Sequence, residues 1–206
     1  MATKKKKTMM TTPKGIAAWP WLNTPDTRWD DVGVYSVTLL LEREEASILL
    51  EESLKPFFKV GYEAVLHEQG KKSLKTASLP WSDEEDDEGN ATGKVKFKFK
   101  NKSSYVHDGE KVENRVVLLD TQKSVIQSRV GGGSVIRVGF EPYVWYVPSM
   151  GVGMTLRVRA VQVIELVEYN GSGGADAFDF EVEAGFAAEA PASKPKPESN
   201  DFGIDF

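Results

Sequence analysis

Cysteine is absent from this chain, and histidine occurs only twice. The first absence removes disulfides, thiolate zinc sites and thiol nucleophiles together. His67 and His107 have no ligand partner at a suitable spacing. Both read as surface histidines, so no metal site is expected. No apolar run approaches the roughly 20 residues that cross a bilayer. The opening stretch MATKKKKTMMTTPKG is basic but has no apolar segment behind it, so no secretory signal is expected. These absences lead to the expectation of a soluble, intracellular protein without membrane contact. Enzyme signatures are missing too. EQGKKS lacks the upstream glycine and the Lys-Ser/Thr pair of a phosphate loop, GVGMTL fails as a dinucleotide fingerprint, and no GxSxG occurs. SDEEDDEGN does not space its acids as a calcium loop does and reads as a solvated hairpin loop. No catalytic residue and no cofactor are expected.

What is present is segregated charge. The net charge of −5 hides a division at Gly171. Residues 171–206 carry a net −6, and residues 1–170 a net +1. Within that larger part, the run from Asp83 to Glu88 is wholly acidic, so the rest of the body is distinctly basic. This asymmetry suggests a basic binding face with a separable acidic tail.

Composition divides the chain into three stretches. Residues 1–30 are polar, contain Pro13, Pro20 and Pro25, and read as an N-terminal arm, although Trp19, Trp21 and Trp29 are costly to leave in water. Residues 31–170 have the apolar alternation of a packed domain. Residues 171–206, rich in glycine, alanine, proline and acids, bury too little to offset ordering entropy and read as a disordered tail. Within the domain, GVYSVTLLL (33–41) reads as a strand. The stretch 42–69 places Ile48, Leu49, Phe57, Val60, Ala64 and Val65 on a helical stripe, with Pro56 and Gly61 arguing for a break or kink. GGGSVIRVGFEP (131–142) alternates as a strand. TLRVRAVQVIELVEY (155–169) puts Leu156, Val158, Ala160, Ile164 and Leu166 on one face and Arg157 and Arg159 on the other. The pattern predicts a mainly β fold: an OB-fold-like five-stranded antiparallel barrel with one helical segment after the first strand.

Residues 93–102 read GKVKFKFKNK. On a strand, Val95, Phe97 and Phe99 enter the core, while Lys94, Lys96, Lys98, Lys100 and Lys102 form a row about 6.6 Å apart on the other face. Their mutual repulsion is a cost unless a polyanion or interspersed acids relieve it. The plainer reading is a solvated face, or an edge strand guarded by lysine. Aromatic company favours a ligand. Tyr105 follows the row, and Tyr143, Trp145 and Tyr146 crowd a segment near Arg137. Alternation puts Tyr143 and Trp145 on one side of the strand, and Val144 and Tyr146 on the other; one pair is core and the other exposed. A basic groove with rings suits unpaired nucleic acid, phosphates on the cations and bases on the rings. A non-enzymatic assembly or adaptor protein with a β-barrel core, its lysines serving solubility, is the alternative.

Taken in order, GVYSVTLLL, GKKSLK, FKFK, VGGGSVIRVGFEPYVW, TLRVRAVQVIELVE and the acidic end with terminal DF make the chain resemble the single-stranded DNA-binding proteins of short-tailed phages. The resemblance covers most of residues 30–169 and the tail type. It implies an OB-fold that binds single-stranded DNA without sequence preference in the cytoplasm of the infected bacterial host, with room for a homodimer. By position it implies DNA contacts from Lys98, Lys100 and Lys96, stacking by Tyr143 beside Trp145, and further basic contacts from Lys71, Lys72 and Arg137. It also implies that the tail, through Phe202, Asp205 and Phe206, meets the replicative DNA polymerase and helicase-primase. Departures stand beside these matches. Val32 and Gln69 occupy positions that are arginine in the family, Arg157 and Arg159 replace uncharged or acidic ones, and the tail is less densely acidic. The helical stretch also comes earlier than in an ordinary OB order, so either the topology is modified or a strand is hidden.

Overall fold

The computed structural model describes residues 8–168. The chain divides into two units, Met1–Asn170 and Gly171–Phe206. The readings of residues 171–206, with Phe202, Asp205 and Phe206, and of lysines 4–7 lie outside the described residues.

Among the described residues, ten strands run in chain order: β1 (Met10–Thr11), β2 (Gly15–Asp26), β3 (Val34–Glu42), β4 (Trp81–Glu85), β5 (Ala91–Lys102), β6 (Ser104–His107), β7 (Glu110–Glu113), β8 (Val117–Leu119), β9 (Val135–Val147) and β10 (Gly151–Glu165). Their pairings form a ring. β2 pairs β3, β3 pairs β5, β5 pairs β10, β10 pairs β9, and β9 returns to β2. The fold is mainly β and OB-like, as expected. Two pairings depart from the antiparallel expectation: β5 and β10 run parallel and meet in register at Leu156 and Phe99, and β8 also pairs β10 in parallel. The other end of β5 is covered by β4 in an antiparallel hairpin.

The ring closes around side chains placed by strict alternation. Tyr35, Val37, Leu39 and Leu41 point inward from β3; Val95, Phe97 and Phe99 do so from β5. Ile136, Val138 and Phe140 come from β9, and Leu156 and Val158 from β10. Phe99 and Phe140 meet edge to face at 5.2 Å between centroids, the arrangement ring quadrupoles favour. Asn101 is also buried, and its amide donates to the Val158 carbonyl at 3.2 Å.

Four local readings are corrected. The stretch 10–26, part of the expected arm, carries β1 and β2. Pro20 disguised the strand, yet it falls at the register shift between Ala18 and Trp21, where a missing N–H breaks no ladder pair. The hidden strand also explains the position of the helical segment, which follows β3 rather than the first strand. The acidic run is partly strand: Trp81–Glu85 pairs with β5, and the turn begins at Asp86. In β10 a register shift between Val158 and Ala160 turns the inward set from Leu156 and Val158 to Val161 and Val163. Ile164 and Leu166 therefore leave the core.

The helical stretch is continuous but changes pitch. Helix α1 (Arg43–Leu49) passes into a π-helical turn (Leu50–Leu54) and then into α2 (Lys55–Gln69). Pro56 stands in the first turn of α2, where its missing N–H is unneeded. The wider turn just before it carries the predicted break. Ala46, Leu49 and Leu54 are buried, whereas Ile48 and Val60, placed on the expected stripe, are exposed. Gly61 seats α2 on the barrel: a Cβ there would stand 2.6 Å from Val144 Cγ2.

Candidate nucleic-acid interface

Alternation on β5 leaves its lysines on the outer face of the barrel. The row is not uniform. Lys94 lies 3.7 Å from Glu42, and Lys102 lies 3.0 Å from Asp30. The hydrogen bond from Lys102 holds the Asp30 carboxyl below the usual carboxylate range, helped by the Val32 amide. Among the described residues, Lys96, Lys98 and Lys100 make no such pair. Their partners across β3 are Leu40, Thr38 and Ser36, none of them charged. The middle of the row is thus an unrelieved concentration of positive charge.

On the far side of β5, β10 continues the same face with Thr155, Arg157 and Arg159. β9 follows with Glu141, Tyr143 and Trp145, each in register with or diagonal to those residues. A groove of about 540 Å³ opens here, with Lys100, Tyr105, Tyr143, Trp145 and Arg157 among its lining residues. Two aromatic side chains are held differently. Trp145 lies over Gly153, where a Cβ would come within 2.3 Å of the indole. Its Nε1–H donates to Thr155 Oγ1 at 3.0 Å, so the ring is fixed at its edge and pressed to the sheet. Tyr143 is 44% exposed and carries the Arg157 guanidinium 3.8 Å from its ring centroid, a cation–π contact. That spacing leaves no room for a further ring between them.

Arg159 has another role. Its Nε–H donates to Glu141 at 3.1 Å and its Nη1 group to Asn114 at 3.2 Å. The ion pair is largely buried, with side-chain exposures of 23% and 10%. It neutralises one cation and ties β10 to β9 under the groove.

Of the residues singled out in the sequence, Lys100, Tyr143 and Trp145 are brought together in the groove. Lys98 and Lys96 extend the row beside it. Lys71 and Lys72 follow the left-handed residue Gly70 that ends α2; they are exposed and do not line the groove. Arg137 faces outward from β9, but it lies six residues before Tyr143, roughly 20 Å along the strand. The groove also contains residues the site prediction omitted: Arg157, Arg159, Lys102, Asn114 and Tyr105. Tyr105 sits on the β6–β7 hairpin, whose turn Asp108-Gly109 has positive φ at both positions. An Asp-Gly pair between apolar-alternating runs is a strong hairpin signal and could have located this wall of the groove.

A family model described as "Single-stranded DNA-binding protein, Bacteriophage T7" matches residues 14–166. The chain belongs to that family. The family is one of binding proteins rather than enzymes. A curated relative, the single-stranded DNA-binding protein of Enterobacteria phage T3, is 28% identical over 94% of this chain and 91% of its own length. Two solved structures share the fold. The crystal structure of gp2.5, a single-stranded DNA-binding protein encoded by bacteriophage T7, has a TM-score of 0.65 at 22% identity, covering 89% of this chain and 100% of that one. The single-stranded DNA-binding protein from bacteriophage Enc34 in complex with single-stranded DNA has a TM-score of 0.57 at 14% identity, covering 79% of this chain and 89% of that one.

Proposed function

We propose that this protein binds single-stranded DNA without regard to sequence during phage DNA replication and recombination in the host cytoplasm. The observation that carries the reading is the groove itself, where Lys100 and Arg157 flank Tyr143 and Trp145 on one open face. The family to which the chain belongs adds independent support. Phosphates meet Lys98, Lys100 and Arg157 as bases stack on the free face of Tyr143, with Trp145 as a fixed wall. Neither the stacking rings nor the amines distinguish one base from another, because every base has a π face and every nucleotide a phosphate. Binding favours unpaired strands by mass action and so opposes hairpins in the template. The acidic tail, ending Asp205-Phe206, recruits the polymerase and the helicase-primase.

Salt separates the two kinds of contact. The log–log dependence of affinity on salt has a slope of about −0.7 per neutralised phosphate on a single strand. Replacing Lys98 and Lys100 together by alanine reduces that slope. Tyr143→Ala costs about 1–3 kcal/mol and leaves the slope unaltered. Anisotropy titrations of a labelled oligonucleotide over a salt series measure both effects. A barrel serving only as an adaptor would bind no single strand even at low salt, and that result would overturn the reading.

A further inference from the structure

A second aromatic and basic groove lies on the same unit, away from Tyr143. It has a volume of about 590 Å³, and its lining includes Trp19, Trp21, Arg28 and Arg129. Resting on the single-strand reading above, we propose that this groove is a further base-stacking subsite, occupied by nucleotides of the same strand beyond the Tyr143 groove.

Three observations carry the proposal. First, Trp19 is 76% exposed and has a φ of +47°. Few bulky residues adopt the left-handed region, because the side chain crowds the backbone. Here the bulge between Ala18 and Trp21 turns an indole toward solvent at a steric cost that burial does not repay. Second, the cations around it are positioned. The Arg28 guanidinium lies 4.8 Å from the Trp21 ring centroid and is clamped by both oxygens of Asp26, each at 2.9 Å. That hydrogen-bonded pairing holds the Asp26 carboxyl below its usual range. Arg129 is carried by a loop that Asn23 pins at several points. The Asn23 amide donates to the carbonyls of Ser128 at 2.9 Å and Gln127 at 3.3 Å, and its oxygen accepts from the Val130 N–H at 3.1 Å. Among the described residues Arg129 pairs with no carboxylate.

Third, one row of residues leads from one groove to the other. Trp21 is in register with Ser36, and Ser36 with Lys100, so these residues form one row across the outer face. Trp21 and Lys100 are two strand spacings apart, roughly 10 Å. Lys100 lines the Tyr143 groove. The path from Tyr143 past Lys100 to Trp21 meets cations and rings in turn. This alternation of cations and rings matches an unpaired strand, with its regular phosphates and exposed bases.

The test uses the full chain and a series of oligo-deoxythymidines of increasing length, followed by anisotropy. Trp19→Ala lowers affinity for long oligomers on the order of 10-fold, and the loss shrinks as the oligomer shortens toward what the Tyr143 groove alone can hold. Trp19→Phe keeps most of the affinity, because a phenyl ring still stacks. An Arg129→Ala variant lowers the salt slope for long oligomers only. Melting temperatures of the variants show whether the fold is intact. If the unaltered protein binds long oligomers and Trp19→Ala binds every length equally well, the subsite is wrong while the single-strand reading stands. A loss of equal size at every length also overturns it. If the unaltered protein binds no oligomer, both readings fail. If affinity is unchanged but Trp19→Ala abolishes a dimer in sedimentation, the face belongs to a second copy of the chain.

Discussion

Trp145 and Gly153 face each other across the β9–β10 ladder, and the absence of one methyl group sets the position of the indole. Gly153→Ala drives a Cβ into the ring. The indole must then lift, and the bond to Thr155 Oγ1 breaks. We expect a loss of about 1–3 kcal/mol in stability, as for other overpacked sites, and weaker single-strand binding because one wall of the groove is displaced. Thermal melting and anisotropy report the two effects. An unchanged melt with unchanged affinity would show that the indole is not fixed as described. At this scale the sequence was informative where chemistry and period coincide. Alternation and residue type raised Tyr143, Trp145 and Lys100 as candidates, and the resemblance to the phage family singled them out; the groove brings them together. Arg157 was visible as an outward cation, but only coordinates show its guanidinium over Tyr143, a contact between strands that no spacing encodes.

Helix α2 backs onto β9 behind the groove, so it supports the strand whose other face carries Tyr143 and Trp145. Gly61 allows that approach by touching Val144. In an exposed helix, Gly→Ala stabilises by up to about 1 kcal/mol. Here the sign should reverse. Gly61→Ala is expected to destabilise the protein by roughly 1–3 kcal/mol, since the added Cβ would lie well inside contact distance of a branched side chain. Denaturant unfolding decides the sign, and a stabilised variant would detach α2 from any role in supporting β9. Elements were read from the sequence with uneven success for physical reasons. β3, β5 and β9 alternate cleanly and were legible. β2 was obscured because its bulge puts Pro20 where a strand is not expected. The far half of β10 was assigned the wrong face because the register shift after Val158 adds one residue to the count, which reverses every later side chain. The acidic run resembled a loop, but Trp81 and pairing with β5 draw its first half into the sheet.

Across the whole molecule, charge is divided between a body of net +1 and a terminal stretch of net −6. A tethered acidic segment that met the basic face would do so at a high effective concentration, and salt would screen the contact. Removing residues 171–206 should therefore tighten single-strand binding, more at low salt than at high, in parallel titrations of the two chains. Equal affinity with and without the segment would exclude that contact. The general architecture was legible from strand count and turn signals. The parallel junction of β5 with β10 was not, because it joins segments far apart in the chain. That junction has a consequence of its own. Lys100 stands on one side of it and Arg157 on the other, so the cradle between them exists only once the ring has closed. Contacts this distant in sequence are slow for a chain to secure. A polyanion gripping both residues would act as a clasp across the seam, holding shut the joint that creates its own berth.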